Sequence, residues 1–539
     1  MKYVSKSNLL FLITISLFLF HTGYLSNFAV DDAYISFRYA DNLAQGKGMV
    51  FNIGEKEEGY SNFLWIILLA IFSRVGMSVV VSSKILSVIF GVAIFILTLN
   101  ISRGFKKEKT ALNFIALFLL ATNTSLIIWV ASGMETIFYT FLLLLATYLF
   151  LRECEGNGIY GSALCFLLLA LTRPEGILFF LIPLFFRVLD LVHPTSPFSR
   201  RSFLIYVLIF FLPFSVYLIW KYLYFREIIP NPFYAKFKIA LPLIYQPVNN
   251  KLRIAFHYLT QGFLQHNLMV TIPFLSFLLG VGNRERRKLF FLGGVILLQL
   301  FFVMSVGGDW MPHFRFLIPI FPFIYLLFQE GVNRAIVQVK SRLFISCLFL
   351  TVMVMCAANF PPSKFEYNEY LRAREGEIRR IGAFGSWLKQ TFPSHYTVAY
   401  EEAGIPLYYS QLRLLDVLGL LNRDIAKIWF SCPDNYWEAN RRVVEYVLMK
   451  KPELIVTVSN RCPRELKDFK SGISYTFYYS VNFQKQYGLI QVKDWYLPHE
   501  NTFWPEGLSL FVYLRNDLKS LPKGIDSSNW GKSLKEKRA

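Results

Sequence analysis

Long apolar runs separated by short charged stretches recur along the first two thirds of the chain. Of its 539 residues, 54% are hydrophobic and only 17% carry a charge. A helix of about 20 apolar residues crosses the hydrocarbon core of a bilayer, so such runs are typical of transmembrane helices. The pattern predicts an α-helical polytopic membrane protein with about eleven transmembrane helices. The lower hydropathy after residue 358 predicts a C-terminal soluble α/β domain.

The positions of the basic residues predict which loops lie on the cytoplasmic side. The spans that place most of the Lys and Arg residues there are Leu9–Leu25, Val79–Asn100, Ala111–Val130, Thr136–Leu151, Tyr160–Leu171, Ile177–Val192, Phe203–Phe225, Leu268–Val281, Leu289–Val306, Phe314–Gln329 and Leu343–Ala358. The segment Asn62–Gly76 is then a short helix that dips into the outer face. This topology predicts a cytoplasmic N-terminus and an external C-terminus. Cleavage of the first run as a signal peptide is the alternative.

Residues 359–518 form the predicted soluble domain, and residues 519–539 a polar, flexible tail. The predicted helices and strands of this domain are the helices Glu377–Gln390, Arg423–Phe430 and Tyr436–Lys450 and the strands Tyr396–Tyr400, Leu454–Val458, Ser474–Trp495 and Ser509–Leu514. Its two cysteines, Cys432 and Cys462, are expected to form a disulfide in an oxidising compartment.

The formal net charge of +20 does not indicate nucleic-acid binding, because most basic residues lie in short loops between apolar runs. The predicted external loop Arg226–Asn267 departs from this rule, since it holds basic residues among aromatic ones. Either long loops escape the charge bias, or this loop offers a basic surface to a lipid phosphate or an anionic glycan. Six cysteines are too few and too scattered for a metal cluster or a disulfide framework.

The first predicted external loop, residues 27–78, begins with two adjacent carboxylates, Asp31 and Asp32. Ionisable groups at a membrane face mark functional sites by default, because they are costly unless paired or hydrated. A helix is predicted over Ala33–Ala44, with Asp31 and Arg38 on a polar face that lies along the membrane surface. Capping of this helix by Asp31 is the alternative role for that side chain.

The run DDAYISFRYADNLAQGKGMVFNIGEKEEGYSNFLW resembles the first external loop of GT-C-type membrane glycosyltransferases. The likeness is closest to the mycobacterial terminal arabinofuranosyltransferases and their Gram-negative relatives. Enzymes of that family take a sugar from a polyprenyl phosphate, and an Asp of this loop acts as the base. The resemblance therefore implies a GT-C-like catalytic domain over residues 1–358, with Asp31 or Asp32 as the catalytic residue.

Three later turns also resemble motifs of that family, in the same order, and all lie at predicted external helix ends. They are SGMET at 132–136, TRPEG at 172–176 and GGDWMPHFR at 307–315. The residues expected to bind the donor phosphate are Arg173, Arg315, His313 and Arg38. The residues expected to contact substrate or support the site are Glu58, Tyr60, Glu135, Glu175 and Asp309.

Arg173 follows an apolar run of only about twelve residues, which is too short to cross a core of about 30 Å. Its side chain is therefore expected below the outer surface. Bidentate contact with a lipid phosphate is the preferred role, and an ion pair with Glu175 or Glu135 the alternative. Asp309 is expected either to orient Arg315 or to contact the acceptor.

The chemistry implied by this resemblance needs few groups. A polyprenyl phosphate leaves as a stabilised anion, whereas an acceptor hydroxyl needs a carboxylate base. One base without a covalent nucleophile predicts inversion at the anomeric carbon. Asp31 is the preferred base because Arg38 shares its helical face, while Asp32 would bind the acceptor or a cation; which of the two acts stays open.

The predicted function is transfer of a sugar from a polyprenyl-phosphate donor to a cell-envelope glycan or glycolipid. The enzyme would lie in the bacterial inner membrane, with its site on the periplasmic side. No cofactor is expected, and a divalent cation has no clear ligand set in the sequence. A lipid-linked sugar flippase is the rival class, although it would spread polar residues through the membrane midplane. A catalytically silent envelope-glycan scaffold is the second rival.

The topology makes a testable prediction at Lys107, which the eleven-span arrangement places in the cytoplasm. A Lys107→Cys variant of a cysteine-free protein is expected to resist a membrane-impermeant thiol reagent added from outside. The same reagent should label a Cys at position 31. External labelling at position 107 would contradict the arrangement and make Asn62–Gly76 a true crossing.

Overall fold

The computed structural model describes residues 6–25, 28–105, 111–156, 160–193, 198–239, 248–278, 283–309, 311, 313–359, 365–432, 435–459, 472–496 and 508–518. Helices dominate the part that precedes residue 360, and a five-stranded sheet with flanking helices follows. The predicted fold class is confirmed. Cys462 and the tail from residue 519 lie outside the described residues, and Cys432 has a free thiol.

The apolar runs of the first part form fifteen α-helices within the described residues. They are α1 (Lys6–Tyr24), α2 (Asp31–Ala44), α3 (Phe63–Arg74), α4 (Val79–Phe105), α5 (Ile115–Ala121), α6 (Thr124–Ala131), α7 (Thr136–Cys154), α8 (Gly161–Thr172), α9 (Gly176–Val192), α10 (Arg200–Phe225), α11 (Asn231–Ile239), α12 (Val248–Gln265), α13 (Asn283–Val306), α14 (Phe321–Val339) and α15 (Arg342–Asn359). Short 3₁₀ segments cover Ala111–Phe114, Leu268–Leu278 and Arg315–Ile320.

Seven helices of the described residues are long and apolar enough to cross a membrane, or eight if the bent pair α5 and α6 counts as one span. The other three predicted spans correspond to α8, α9 and the 3₁₀ segment Leu268–Leu278, with 12, 17 and 11 residues. These three elements are shorter than a full membrane span, so the described residues contain fewer than the eleven full spans that the sequence predicts. Helix α3 has 12 residues, so it is as short as the sequence predicts.

The soluble part consists of α16 (Phe365–Thr391) and then a sheet with strand order β2-β1-β3-β5-β4. Strand β1 lies parallel to β2 and to β3, whereas β5 is antiparallel to β3 and to β4. The elements after α16 are β1 (Thr397–Tyr400), α17 (Ile405–Ser410), β2 (Arg413–Asp416), α18 (Arg423–Ser431), α19 (Tyr436–Lys450), β3 (Leu454–Ser459), α20 (Gly472–Tyr479), α21 (Val481–Gln486), β4 (Tyr487–Tyr496) and β5 (Leu508–Arg515).

One strand prediction for this domain is wrong in part, and one strand was not predicted. The aromatic stretch from Ser474 begins as helices α20 and α21, and the strand starts only at Tyr487. Aromatic residues favour strands, but here they pack against α19 and β3 as one face of a helix. The short strand β2 was not predicted, because its four residues, RLLD, show no alternation of apolar and polar side chains.

The sheet joins the two parts of the protein. One of its faces carries Val398, Leu414 and Val456, whose side chains belong to the same apolar core as the membrane helices. The opposite face carries Ala399, Leu415 and Ile455 and packs on a separate core with α18 to α21. Alternation along each strand therefore turns one side of the sheet toward the membrane part.

The loop between α2 and α3 is attached to α10 by a buried ion pair. Glu58 and Lys221 are 3% and 6% exposed, and their Oε2 and Nζ atoms are 3.0 Å apart. Burial raises the pKa of Glu58 to about 7 even though Lys221 acts in the opposite direction. Tyr60, also buried, donates its hydroxyl to the Met49 sulfur at 2.7 Å. Both predicted support residues thus hold the loop in place.

The raised pKa of Glu58 predicts a pH-dependent stability. Between the ordinary glutamate pKa of 4.5 and about 7, the folded protein keeps a proton on Glu58 that the unfolded chain has released. Folding stability is therefore expected to fall as pH rises through this window. The apparent melting temperature of wild type should decrease from pH 5 to pH 8 more steeply than that of Glu58→Gln.

Glu445→Gln is the matched control, because Glu445 is an exposed carboxylate with a surface ion pair to Arg441. The melting temperature of that variant should fall with pH as steeply as that of wild type. If the melting temperature of Glu58→Gln also fell as steeply as that of wild type, Glu58 would not be the source of the pH dependence.

Candidate active site

Arg173 connects the first two of the three turns. It follows α8 and lies between Glu135, which precedes α7, and Glu175, which precedes α9. Its Nη1 is 2.5 Å from Glu135 Oε1, and its Nε donates to Glu175 Oε1. The side chains of Arg173 and Glu135 are 12% and 1% exposed. Most of the Arg173 side chain is thus enclosed by protein, as predicted. The ion pairs that the sequence analysis gave as the alternative role are present, with both carboxylates.

The third turn brings Arg315 to the same place. Its Nε lies 2.8 Å from Asp309 Oδ2, so Asp309 orients this arginine. The ring centre of Phe316 is 5.0 Å from the Arg315 guanidinium and 5.6 Å from that of Arg173. We call Glu135, Arg173, Glu175, Asp309 and Arg315 the Glu135 cluster. Trp310 and Pro312 of this turn lie outside the described residues.

His313 contributes its backbone to this arrangement. Its carbonyl oxygen accepts a hydrogen bond from Trp129 Nε1 at 3.1 Å. Its φ of 63° lies in the left-handed region, as does the φ of 48° at Phe314. Two consecutive residues in this conformation make a sharp turn, which directs the following 3₁₀ segment and Arg315 toward the cluster.

The electrostatics of the cluster are nearly balanced. Its two arginines and three carboxylates have a formal charge of −1. Burial by itself would raise the pKa of Glu135, but Arg173 and Arg315 outweigh it and lower that pKa. Glu135 is therefore ionised at neutral pH. Within the described residues, no group of three or more His, Cys, Asp or Glu side chains could hold a metal ion.

The first loop reaches the cluster through two neutral side chains that the sequence analysis did not single out. Ser36 Oγ donates to Asn62 Oδ1 at 3.1 Å, and Asn62 Nδ2 donates to Glu135 Oε2 at 2.8 Å. The backbone N–H of Val30 also donates to Ser132 O at 3.1 Å. Ser36 and Asn62 are uncharged and belong to no recognisable sequence motif, so only their contacts in the structure identify them as part of the site.

Asp31 faces the soluble domain. Its Oδ2 accepts a hydrogen bond from the Gly404 N–H at 3.1 Å, and its Oδ1 accepts one from Ile405 at 2.7 Å. These N–H groups are at the start of α17, so Asp31 caps a helix more than 370 residues away in sequence. Its own helix α2 instead has Val30 at the N-cap position. The alternative role of Asp31, capping of α2, is therefore not observed.

Arg38 is also placed differently from the prediction. Its Nε, Nη1 and Nη2 donate to the carbonyl oxygens of Phe51, Leu407 and Leu412 at 2.8–2.9 Å. The guanidinium also lies over the Phe51 ring. At 4% exposure it holds the soluble domain to the first loop. The expected pairing with Asp31 is replaced by these carbonyls, and α2 is buried within the protein along most of its length rather than lying on a membrane surface.

Asp32 points to a different side of α2 from Asp31. It is one helical turn before Ser36, and residues four apart lie on the same helix face. Ser36 is the residue that leads through Asn62 to Glu135. The two adjacent carboxylates therefore serve two different surfaces. Asp31 contacts the soluble domain, and Asp32 lies on the face that leads to the Glu135 cluster.

The soluble domain matches the family model of a domain of unknown function (DUF8728) over residues 368–509. None of the curated protein sequences compared with the chain matches it.

Among solved structures, the chain is similar to ArnT from Cupriavidus metallidurans bound to undecaprenyl phosphate. The identity is 10%, the TM-score is 0.56, and the alignment covers 94% of this chain and 97% of that one. The apo form of the same protein matches equally, with 93% and 97% covered. An Archaeoglobus fulgidus oligosaccharyltransferase complex with Zn and sulfate matches at 13% identity and a TM-score of 0.48, over 90% and 72%. The chain thus shares the fold of ArnT over nearly its whole length.

Proposed function

We propose that this protein is an inverting glycosyltransferase of the GT-C type. It moves a sugar from a polyprenyl-phosphate donor to a cell-envelope glycan or glycolipid on the outer face of the bacterial inner membrane. The observation that carries the proposal is the contact of the first loop, through Asn62, with the Glu135 cluster, which three separate turns build. The shared fold with a protein whose structure contains undecaprenyl phosphate supports a lipid-phosphate donor.

Asp32 is the residue that we assign as the general base. Both oxygens of Asp31 already accept backbone N–H groups, and that carboxylate anchors the soluble domain. Asp32 lies on the helix face that leads to the arginines. A carboxylate there can accept the proton of the acceptor hydroxyl while the donor phosphate lies on the cationic side. A single base without a nucleophile leads to inversion.

The donor phosphate is assigned to Arg173, assisted by Arg315 and by the turn at His313. The Arg173 Nε and Nη1 atoms bind carboxylates, whereas Nη2 makes no hydrogen bond to any residue that the structure describes. The formal charge of −1 opposes binding of an anion while all three carboxylates are in place. We therefore assign the phosphate to the position of Glu175, the more exposed of the two carboxylates that pair with Arg173, because its displacement removes one negative charge and frees the guanidinium.

The test of this function is transfer by the purified full-length protein. Polyprenyl-phosphate arabinofuranose is the first donor to try, because of the likeness of the first loop to arabinofuranosyltransferases. Envelope glycans from a deletion strain serve as acceptors, and mass spectrometry detects the added sugar. Failure with every polyprenyl-phosphate sugar, together with unchanged glycans in the deletion strain, would contradict the proposal.

Substitution of the two carboxylates separates their roles. Asp32→Asn is expected to lower the transfer rate by about 10²–10⁴-fold, the usual contribution of a general base, without changing the melting temperature. Asp31→Asn should lower the melting temperature instead, since the amide nitrogen of Asn would face a backbone N–H.

Two results would revise these assignments. An active Asp32→Asn beside an inactive, normally stable Asp31→Asn would exchange the two roles. Near-wild-type transfer rates for both variants would show that neither carboxylate of the first loop takes part in the reaction.

Docking of the soluble domain on Asp31 requires a residue without a side chain at position 404. A Cβ on Gly404 would overlap the backbone oxygen and the carboxylate of Asp31. Gly404→Ala is therefore expected to cost about 1–3 kcal/mol of stability by overpacking. It should also increase proteolysis between the two parts of the chain and reduce transfer.

Gly382→Ala is the matched control, because a Cβ there would meet its nearest atoms at an ordinary 3.5 Å. This variant should behave like wild type. Equal melting temperatures for Gly404→Ala and wild type would show that the close approach is not needed.

A further inference from the structure

A cavity lies at the opposite end of the helix bundle from the Glu135 cluster. Its volume is about 230 Å³, and it is formed by the C-terminal ends of α4 and α7 and the start of α13. Along α7, its lining residue Arg152 follows Glu135 by 17 residues, which corresponds to about 25 Å of helix. The cavity is therefore close to the other membrane face and separate from the proposed catalytic site.

Three basic side chains and one acidic side chain line this cavity. Lys288 is buried, and its Nζ pairs with Glu155 at 2.6 Å and donates to the Gly104 carbonyl at 2.8 Å. Arg103 donates to the neutral Ser7 hydroxyl at 3.1 Å. Within the described part of the chain, Arg103 and Arg152 have no carboxylate partner. The walls thus have a formal charge of +2.

The rest of the lining is suited to the boundary between membrane and water. Leu151 is apolar, and Tyr148 combines an aromatic ring with a hydroxyl group. Sites for drug-sized ligands usually measure about 300–1,000 Å³, so this cavity is large enough only for a small polar group. Basic pockets between transmembrane helices are suited to anionic lipid head groups, whose acyl chains lie outside along the helices.

We propose that this cavity binds the phosphate of an anionic phospholipid in the membrane leaflet opposite the Glu135 cluster. Arg103 and Arg152 contact the phosphate oxygens, and Lys288 is held in place by Glu155. A phospholipid head group and a soluble phosphate compound would both bind through a phosphate. We assign the site to the phospholipid. The site is independent of the proposed transfer reaction, since none of its residues belongs to the Glu135 cluster.

The experiment measures lipid binding by the purified full-length protein. Native mass spectrometry counts the lipids retained from mixtures of phosphatidylglycerol and phosphatidylcholine, and melting curves in detergent follow titration with each lipid. Wild type is expected to retain phosphatidylglycerol preferentially and to melt at a higher temperature with it. The double variant Arg103→Gln/Arg152→Gln should bind phosphatidylglycerol about tenfold more weakly or worse, because each basic group near an anionic lipid contributes about 1 kcal/mol.

Arg342→Gln is the matched control, since Arg342 is an exposed arginine that starts α15 outside the cavity. It should retain the lipid as wild type does. The single variant Arg152→Gln removes an exposed charge and tests the site even if the double variant fails to fold. Its binding should fall as well.

Two results would overturn the proposal. Unchanged phosphatidylglycerol binding by Arg152→Gln and by the double variant would show that the cavity is not the lipid site. If millimolar inorganic phosphate reproduced the melting shift and displaced the lipid, the ligand would be a soluble phosphate compound instead.

Discussion

The pairing of Arg173 with Glu135 is the interaction on which one end of the helix bundle, the end that holds the three turns, depends. Helix α8 has only 12 residues, so its end, and the arginine that follows, lie inside the protein. A buried guanidinium without partners would be costly, and the two carboxylates at the starts of α7 and α9 compensate for this cost. Through Asn62 and Ser36 the same pair also positions the first loop.

Helix α2 connects the membrane part to the soluble domain because its faces have different partners. One face leads to the Glu135 cluster, and the other binds α17 and Leu412, the residue before β2, through Asp31 and Arg38. Since one side of the sheet shares its apolar core with the membrane helices, the soluble domain is part of the same packed unit. A movement of that domain would therefore displace the proposed catalytic loop.

The two ends of the bundle differ in how their charges are balanced. At the end that holds the three turns, every arginine of the Glu135 cluster has a carboxylate partner, and the formal charge is −1. At the opposite end, Arg103 and Arg152 line a cavity whose formal charge is +2. The first arrangement favours fixed geometry, as a catalytic site requires. The second leaves cations available to an anionic ligand.

The sequence by itself determined the helical membrane class, the soluble α/β part and the polar turns that meet near Glu135. These features are local, because apolar length and charge position report directly on burial in a membrane. Only the tertiary structure decided the partners: Arg38 binds carbonyls at Leu407 and Leu412, and Asp31 caps α17. Backbone groups are the same in every residue, so no sequence pattern could reveal those contacts. The aromatic stretch from Ser474 is also determined by distant partners. Its packing against α19 and β3 stabilises a helix more than its aromatic residues favour a strand.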